Sequence, residues 1–406
     1  MRDSQSAGRC LFAVNAPTAN YDVIIAGAGP AGTSAAIHLA QRGARVLLAE
    51  QKKFPRAKLC GEFISPECLN HFAELGVLSQ MNAAQGARLT ETVFYSPNGK
   101  SVSVPSEWFG TRHAALGLSR SEMDHRLLVR ARESGVDVRE ETSATTITCA
   151  QSRVSGMRLK SGDGISEVYA PVVIDATGRT RALARRFDNH KTKSDRHHPG
   201  LVAFKAHLQD ASVAAGTCEI YFYPGGYGGL SSVEKGLSNL CFIASAADVR
   251  ACHSDAHTVM DHVVTKNTRA AKTLSHSRTH GEWLAVTLDS FGKREPAPAE
   301  GLLLIGDAAA FIDPFTGSGM LMALEGGELA AEVIMQHLPA MRNGGSLSAL
   351  ANDYRSAYQT KFGSRLRVCA MLRRAAFVPR LAGAAIRLFS ASVRARRALA
   401  QATRTG

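Results

Sequence analysis

Three glycines carry the first chemical signal in this chain. Gly27, Gly29 and Gly32 stand at the spacing G-x-G-x-x-G, with Pro30 and Ala31 between the second and the third. At such a spacing the first glycine makes a tight turn, the second lets backbone approach a pyrophosphate, and the third lets a helix pack against a strand. The N-terminus of the following helix adds partial positive charge. Glu50, at the end of the next apolar run, is placed to accept both hydroxyls of an adenosine ribose. An ordinary glycine-rich turn leaves Glu50 without a role, so the set predicts a dinucleotide site. Four further groups carry potential chemistry. Cys60 and Glu62 lie in the loop Phe54-Pro55-Arg56-Ala57-Lys58-Leu59-Cys60-Gly61-Glu62. Asp307 follows an apolar run and Gly306, where it can accept hydroxyls or cap a helix. Tyr221, Tyr223 and Tyr227 surround Pro224-Gly225-Gly226, which also reads as two strands and a glycine turn. His253 and His257 have helical spacing and His262 follows, but no H-E-x-x-H motif accompanies them, and no metal site is predicted.

The elements that must position these residues follow from hydrophobic pattern. Asp22 to Ala26 and Val46 to Ala49 are short apolar runs, the mark of buried parallel strands, joined by a helix that Gly43 ends. Pro171 to Gly178 and Leu302 to Gly306 repeat the pattern of a buried strand entering a glycine turn. A helix capped at Ser119 or Ser121 runs to Gly135. Segments 144–149, 153–160 and 166–169 read as a β-meander, and 88–109 as two or three strands. Segment 200–245 is strand-rich, and 247–281 reads as mainly helical. Long helices are expected at about 319–337 and 346–368. The fold class is α/β. We expect one domain from 21–87, 114–196 and 297–360, and a mainly β domain inserted as 88–113 and 197–296.

Composition narrows the setting. A chain of 406 residues suits two interleaved domains, and 45% apolar residues is ordinary for a soluble protein. Eight cysteines without a C-x-x-C pair suggest neither zinc nor a disulfide framework, and reduced thiols in a cytoplasm are the simpler reading. Residues 1–20 read as a disordered tail or as sequence upstream of the true start. No run reaches the length of a membrane-spanning helix. The net charge of +13 is concentrated at the end: residues 361–406 hold eleven Lys and Arg and no Asp or Glu. Arginines interleaved with Leu, Val and Phe there give a basic helical region. It is either a solvated cap, the favoured reading, or a contact for an anionic membrane or lipid. No recognition motif for nucleic acid accompanies the charge.

Taken together, Gly27-x-Gly29-x-x-Gly32, Glu50, Arg120, Asp175-Ala176-Thr177-Gly178 and the stretch from Gly306-Asp307 to Gly319 resemble the class A flavoprotein monooxygenase superfamily. That superfamily shares its FAD-binding fold with geranylgeranyl reductases and flavin-dependent halogenases. The likeness spans roughly residues 20–390. The loop 54–62 and the turn Asp313-Pro314-Phe315-Thr316-Gly317-Ser318-Gly319 are most similar to the geranylgeranyl reductase branch.

The resemblance implies a Rossmann-like FAD-binding domain of glutathione-reductase type, an inserted mainly β substrate domain and C-terminal helices. FAD would be held by Gly27, Gly29, Pro30, Ala31, Gly32, Glu50, Arg120, Gly306 and Asp307. Gly317, Ser318, Gly319 and Met320 would aim a helix N-terminus at the flavin, where charge accumulates on reduction. Cys60 and Glu62 are the candidate catalytic groups. Cys60 is a proton donor, a substrate contact or a buried structural thiol, and Glu62 is an acid or a helix cap. Tyr221, Tyr223 and Tyr227 occupy the place of an aromatic substrate motif, although no tryptophan appears in it. A halogenase W-x-W-x-I-P motif is missing, since Trp108 and Trp283 are isolated. With no second dinucleotide fingerprint, NAD(P)H would bind transiently or a separate reductase would supply electrons. Superfamily frequency puts monooxygenation of an apolar small molecule first. Reduction of isoprenoid or lipid C=C bonds is the alternative, and a non-catalytic flavin-binding partner protein is the reading from another class.

Overall fold

The computed structural model describes residues 11–12, 20–109, 113–150, 153–187, 200–288, 291–343, 345–376 and 392–402. Its centre is a five-stranded parallel sheet, in the order 302–304, 172–175, 23–26, 46–49, 137–139. Every residue of Val23–Ala26, Val46–Ala49 and Val172–Asp175 is buried, which explains why these strands read as continuous apolar runs. The helix Pro30–Gln41 packs on this sheet.

Contacts at the glycines show why the sequence needs them. Gly27 has φ +103°, and a Cβ there would lie 2.5 Å from the Ala176 carbonyl oxygen. A Cβ on Gly32 would lie 1.9 Å from the Gly27 carbonyl oxygen. The strand end, the helix start and the Asp175-Ala176-Thr177-Gly178 turn thus meet with no room for a side chain. Asp175 holds that turn together: it accepts from the Thr177 amide and hydroxyl and from the Leu183 and Ala184 amides. On the other face of helix Pro30–Gln41 lies helix Gly319–Arg342. Their close crossing depends on Gly327, whose Cβ would sit 2.5 Å from the Ala31 carbonyl oxygen. The Ser34 hydroxyl adds a bond to the Leu324 carbonyl at 2.9 Å.

A seven-stranded sheet forms the second body, in the order 278–288, 201–209, 238–245, 226–232, 217–223, 91–95, 101–105. The strands Glu91–Tyr95 and Ser101–Pro105 enter its edge through the parallel pair of 91–95 with 217–223. One face packs on the helices Ala256–Val263 and Thr268–Leu274, and the other turns toward the parallel sheet. The β-meander forms as expected from 143–150, 153–161 and 164–169.

Several expectations shift. Leu11–Phe12, inside the stretch expected as a tail, pairs in parallel with Thr148 and Cys149; the rest of 1–19 lies outside the described residues. Cys149 is disulfide-bonded, which corrects the expectation of reduced thiols throughout; its partner lies outside the described residues. The segment 247–281 turns to strand at Arg278, where Gly281 and the β-branched residues around it take over from the helix pattern. His253 falls in the left-handed turn between two helices, at φ 54°, so it shares no helix face with His257. The basic C-terminus is only partly a solvated face. In helix Ser348–Ala376, Arg365 is buried against Glu325, and Arg373 lies 3.4 Å from Asp313 and 3.8 Å from the Phe291 ring centre.

Candidate functional site

A cavity of about 740 Å³ lies between the two sheets. The turns at the C-terminal ends of the parallel strands line one end, where ligands of open α/β sheets bind. Gly27, Gly29, Pro30, Ala31, Glu50, Arg120, Gly306, Asp307, Gly317, Gly319 and Met320 all line it. Gly32 and Ser318 do not; both are buried beneath the lining, Gly32 against Gly27 and Ser318 as the residue that starts helix Gly319–Arg342.

The polar groups at this end can be tested against FAD. Gly29 has an ordinary φ of −73°, and no atom lies within 4 Å of where its Cβ would stand. Its missing side chain is therefore open space facing the cavity at a helix N-terminus. Glu50 is buried and takes hydrogen bonds from the Ala28 amide at 2.9 Å and the Lys52 amide at 3.0 Å. Each carboxylate oxygen retains a lone pair for a hydroxyl donor. Asp307 accepts no hydrogen bond from the described residues. Burial pushes its carboxyl up, and the cations of Arg179, Arg120 and Lys58 pull the other way. An open cradle at a helix start, two carboxylates with room for hydroxyl donors and several cations facing the cavity together fit the adenosine, diphosphate and ribityl parts of FAD.

Arg120 is more constrained than its motif implies. Its Nε and Nη2 donate to the two carboxylate oxygens of Asp124 at 2.8 and 2.7 Å, one helical turn on. Arg56 donates to the same Asp124 at 3.2 Å. Burial works against the Arg120 charge, but Asp124 and the Cys60 sulfur outweigh it and hold the guanidinium charged. Arg120 is thus a rigid, preset cation. Lys58 also faces the cavity; burial and then the neighbouring Arg56, Arg120 and Arg179 push its ammonium pKa down.

Cys60 lines the cavity, half-buried, and accepts a hydrogen bond from the Glu62 amide at 3.4 Å. The Asn239 side chain holds its carbonyl at 3.1 Å. The Cys60 backbone is therefore tied to the seven-stranded sheet, and its sulfur to the Glu62 amide of its own loop.

Glu62 differs from its expected role as an acid. It is fully buried with φ 53° and is gripped by three donors: Lys205, His207 at 2.7 Å, and the Arg120 amide at 2.8 Å. Burial raises its pKa, but the His207 hydrogen bond and the Lys205 charge prevail and lower it. A carboxylate held ionised has no proton to give near neutral pH. The cap it supplies is on helix Arg120–Glu133, not on the next helix in sequence.

The three tyrosines separate. Tyr221 and Tyr223 point away from the cavity: Tyr221 bonds Glu219 at 2.6 Å, and Tyr223 bonds the Ile243 carbonyl at 3.1 Å. Tyr227 lines the cavity and donates to Asp313. Strand alternation is the reason. On Thr217–Tyr223 the even-numbered Cys218, Ile220 and Phe222 line the cavity, and the odd-numbered tyrosines face the helices. The same alternation on Leu201–Gln209 places Ala203, Lys205 and His207 toward the seam, and Phe204, Ala206 and Leu208 in the outer core. That signal was present in the sequence and would have found Phe222, Lys205 and His207. Beyond the polar end the wall is apolar, with Phe94, Val102, Val104, Phe222, Leu288 and Phe315.

Known proteins resemble this chain in sequence and in fold. A model of the FAD binding domain family matches residues 20–340. Digeranylgeranylglycerophospholipid reductase 2 of Methanopyrus kandleri is 26% identical over 351 residues, covering 84% of this chain and 83% of that protein. Among solved structures, a triple mutant of the flavin-dependent brominase Bmp2 superposes with a TM-score of 0.80 at 21% identity, covering 95% of both chains. A geranylgeranyl bacteriochlorophyll reductase-like protein of Thermoplasma acidophilum superposes with a TM-score of 0.77 at 21% identity, covering 93% of this chain and 95% of that one. At such identity the superpositions speak for the fold alone.

Proposed function

The chain belongs to the FAD binding domain family, and from that premise we propose that it is an FAD-dependent oxidoreductase that reduces C=C bonds of a long apolar, isoprenoid-like substrate. The observation that carries this reading is Cys60, a thiol fixed between the polar cofactor end and an apolar chamber. The names of the sequence relatives support it over monooxygenation, which superfamily frequency alone had put first. Two electrons and two protons reach an alkene as a hydride on one carbon and a proton on the other. Reduced FAD supplies the hydride when bound.

The residues of this chain do the rest. The apolar wall excludes water and holds the alkene. The Cys60 thiol gives its proton to the second carbon, and the Arg120 guanidinium beside it stabilises the thiolate left behind. Water restores the thiol. Glu62, bound to Lys205, His207 and the start of helix Arg120–Glu133, fixes the loop and so positions Cys60. Electrons enter from transiently bound NAD(P)H or from a separate reductase.

The test is product analysis. Under nitrogen, with a chemical reductant, the protein should convert a polyunsaturated isoprenoid lipid to species heavier by pairs of hydrogens. A product heavier by oxygen, formed only in air, would instead establish monooxygenation.

A further inference from the structure

The family match ends at residue 340, yet helix Val393–Ala402 contributes to the cavity wall. Arg396 and Ala400 of this helix line the cavity wall. Arg396 is half-buried, its guanidinium 5.7 Å from the Trp108 ring centre. Its Nη1 donates to the Ser103 carbonyl at 3.1 Å, and its Nε is buried without a hydrogen-bond partner. No carboxylate among the described residues pairs with it. Two arginines at the cofactor end differ: Arg120 and Arg56 both have Asp124.

A guanidinium drawn into an apolar cavity without an anion is a costly arrangement, and an anionic group on a ligand relieves it. Ser103 belongs to strand Ser101–Pro105, the outermost of the seven-stranded sheet, so Arg396 stands at the edge of that sheet. Between it and the cofactor end the wall is Val102, Val104, Phe94 and Phe222. The order along the cavity is therefore redox end, apolar wall, unpaired cation.

We propose that Arg396 is an anion-binding subsite that reads the phosphate or carboxylate head of an amphiphile whose apolar tail runs toward the flavin end. This rests on the reading of the cavity as a chamber for an apolar substrate. The planar fork of Arg396 offers two parallel donors to such a head, and Trp108 keeps the fork's plane fixed.

Calorimetric titration of the FAD-loaded full chain tests this. The probes are decyl phosphate, decanol and inorganic phosphate, each below any micelle-forming concentration. Decyl phosphate should bind wild type about 10- to 100-fold more tightly than decanol, the range for a hydrogen-bonded charge. Arg396→Gln should abolish that preference with FAD content and melting temperature unchanged, and Arg396→Lys should keep part of it. Equal preference in wild type and Arg396→Gln would overturn the proposal. So would inorganic phosphate binding as tightly as decyl phosphate, which marks a plain anion site, or no binding of either decyl probe. If Arg396→Gln does not fold, a wild type that does not distinguish phosphate from alcohol, or an Arg396→Lys that distinguishes them as wild type does, overturns it. The probes are saturated, so the result is independent of whether the enzyme reduces or oxygenates.

Discussion

Two neighbouring glycines should respond to substitution in opposite ways. Gly29 has an ordinary φ, and its Cβ position is empty to 4 Å. Gly29→Ala should therefore leave the apo fold intact, or stabilise it by about 0.4–1 kcal/mol by restricting the unfolded chain. Its methyl group would occupy the open space that the proposed FAD site gives to the pyrophosphate. A steric cost of about 1–3 kcal/mol, the usual range for overpacking, weakens FAD about 5- to 150-fold. Gly29→Trp fills the cradle and should give a folded, colourless protein. Gly32 is the reverse case, because its Cβ would stand 1.9 Å from a backbone oxygen of Gly27. Gly32→Ala must push the helix off the strand end by more than 1 Å to reach a tolerable contact. That costs about 1–3 kcal/mol or more in the apo protein and lowers its melting temperature. The assay is the ratio of released FAD to protein, beside thermal unfolding of the stripped chain. Stoichiometric FAD in Gly29→Trp refutes the cofactor geometry. Equal destabilisation of the apo protein by Gly29→Ala and Gly32→Ala refutes the assignment of open space at Gly29.

Four other variants separate roles that the sequence left joined. Glu62→Gln leaves Lys205 buried without its anion, a loss of about 3–5 kcal/mol seen as early unfolding at neutral pH. Because the folded Glu62 pKa lies below the usual glutamate value, its stabilisation is complete above that usual value and disappears as pH falls through the folded one. The wild type should therefore lose stability on the acid side more steeply than Glu62→Gln, as read from melting temperature against pH. Cys60→Ala should bind FAD normally and lose about 10²- to 10⁴-fold in alkene turnover, the contribution typical of a general acid; full turnover would remove the thiol from the mechanism. Tyr221→Phe should lower stability without changing the apparent KM, while Phe222→Ala should raise KM, since only Phe222 faces the cavity.

The parallel sheet and the cofactor end were legible because their signals are local. A glycine spacing, an apolar run and an acid at a strand end each lie within a short stretch, and Gly27, Gly32, Glu50 and Asp307 stand where the pattern implies. Tertiary partnerships were not legible. Asp124 fixes Arg120 from within the same helix, but nothing in helical spacing separates that pair from a solvated one. Glu62 meets Lys205 and His207 across more than 140 residues, and only the fold brings them together. Gly327 sits in an unremarked helix interior until helix Pro30–Gln41 crosses it. Tyr221 and Tyr223 are a different case: their aromatic character outweighed the period of two, which assigns them to the face opposite Phe222, whereas Tyr227 does line the cavity. Of the basic tail, 377–391 and 403–406 lie outside the described residues. Its described part includes ion pairs at Lys361, Arg365 and Arg373, the cavity at Arg396, and exposed Arg367, Arg394 and Arg397. Among the described residues no helix is long and apolar enough to cross a membrane.

The central claim is that electrons pass from the flavin site to an alkene in the apolar chamber. It is tested most directly by photoreducing the FAD-loaded protein without oxygen and mixing it rapidly with an unsaturated isoprenoid lipid. The account predicts that the yellow absorbance returns under strict anaerobiosis, at a rate that rises with lipid concentration and collapses in Cys60→Ala. A protein that stays bleached with lipid and recovers only when oxygen is admitted would contradict it.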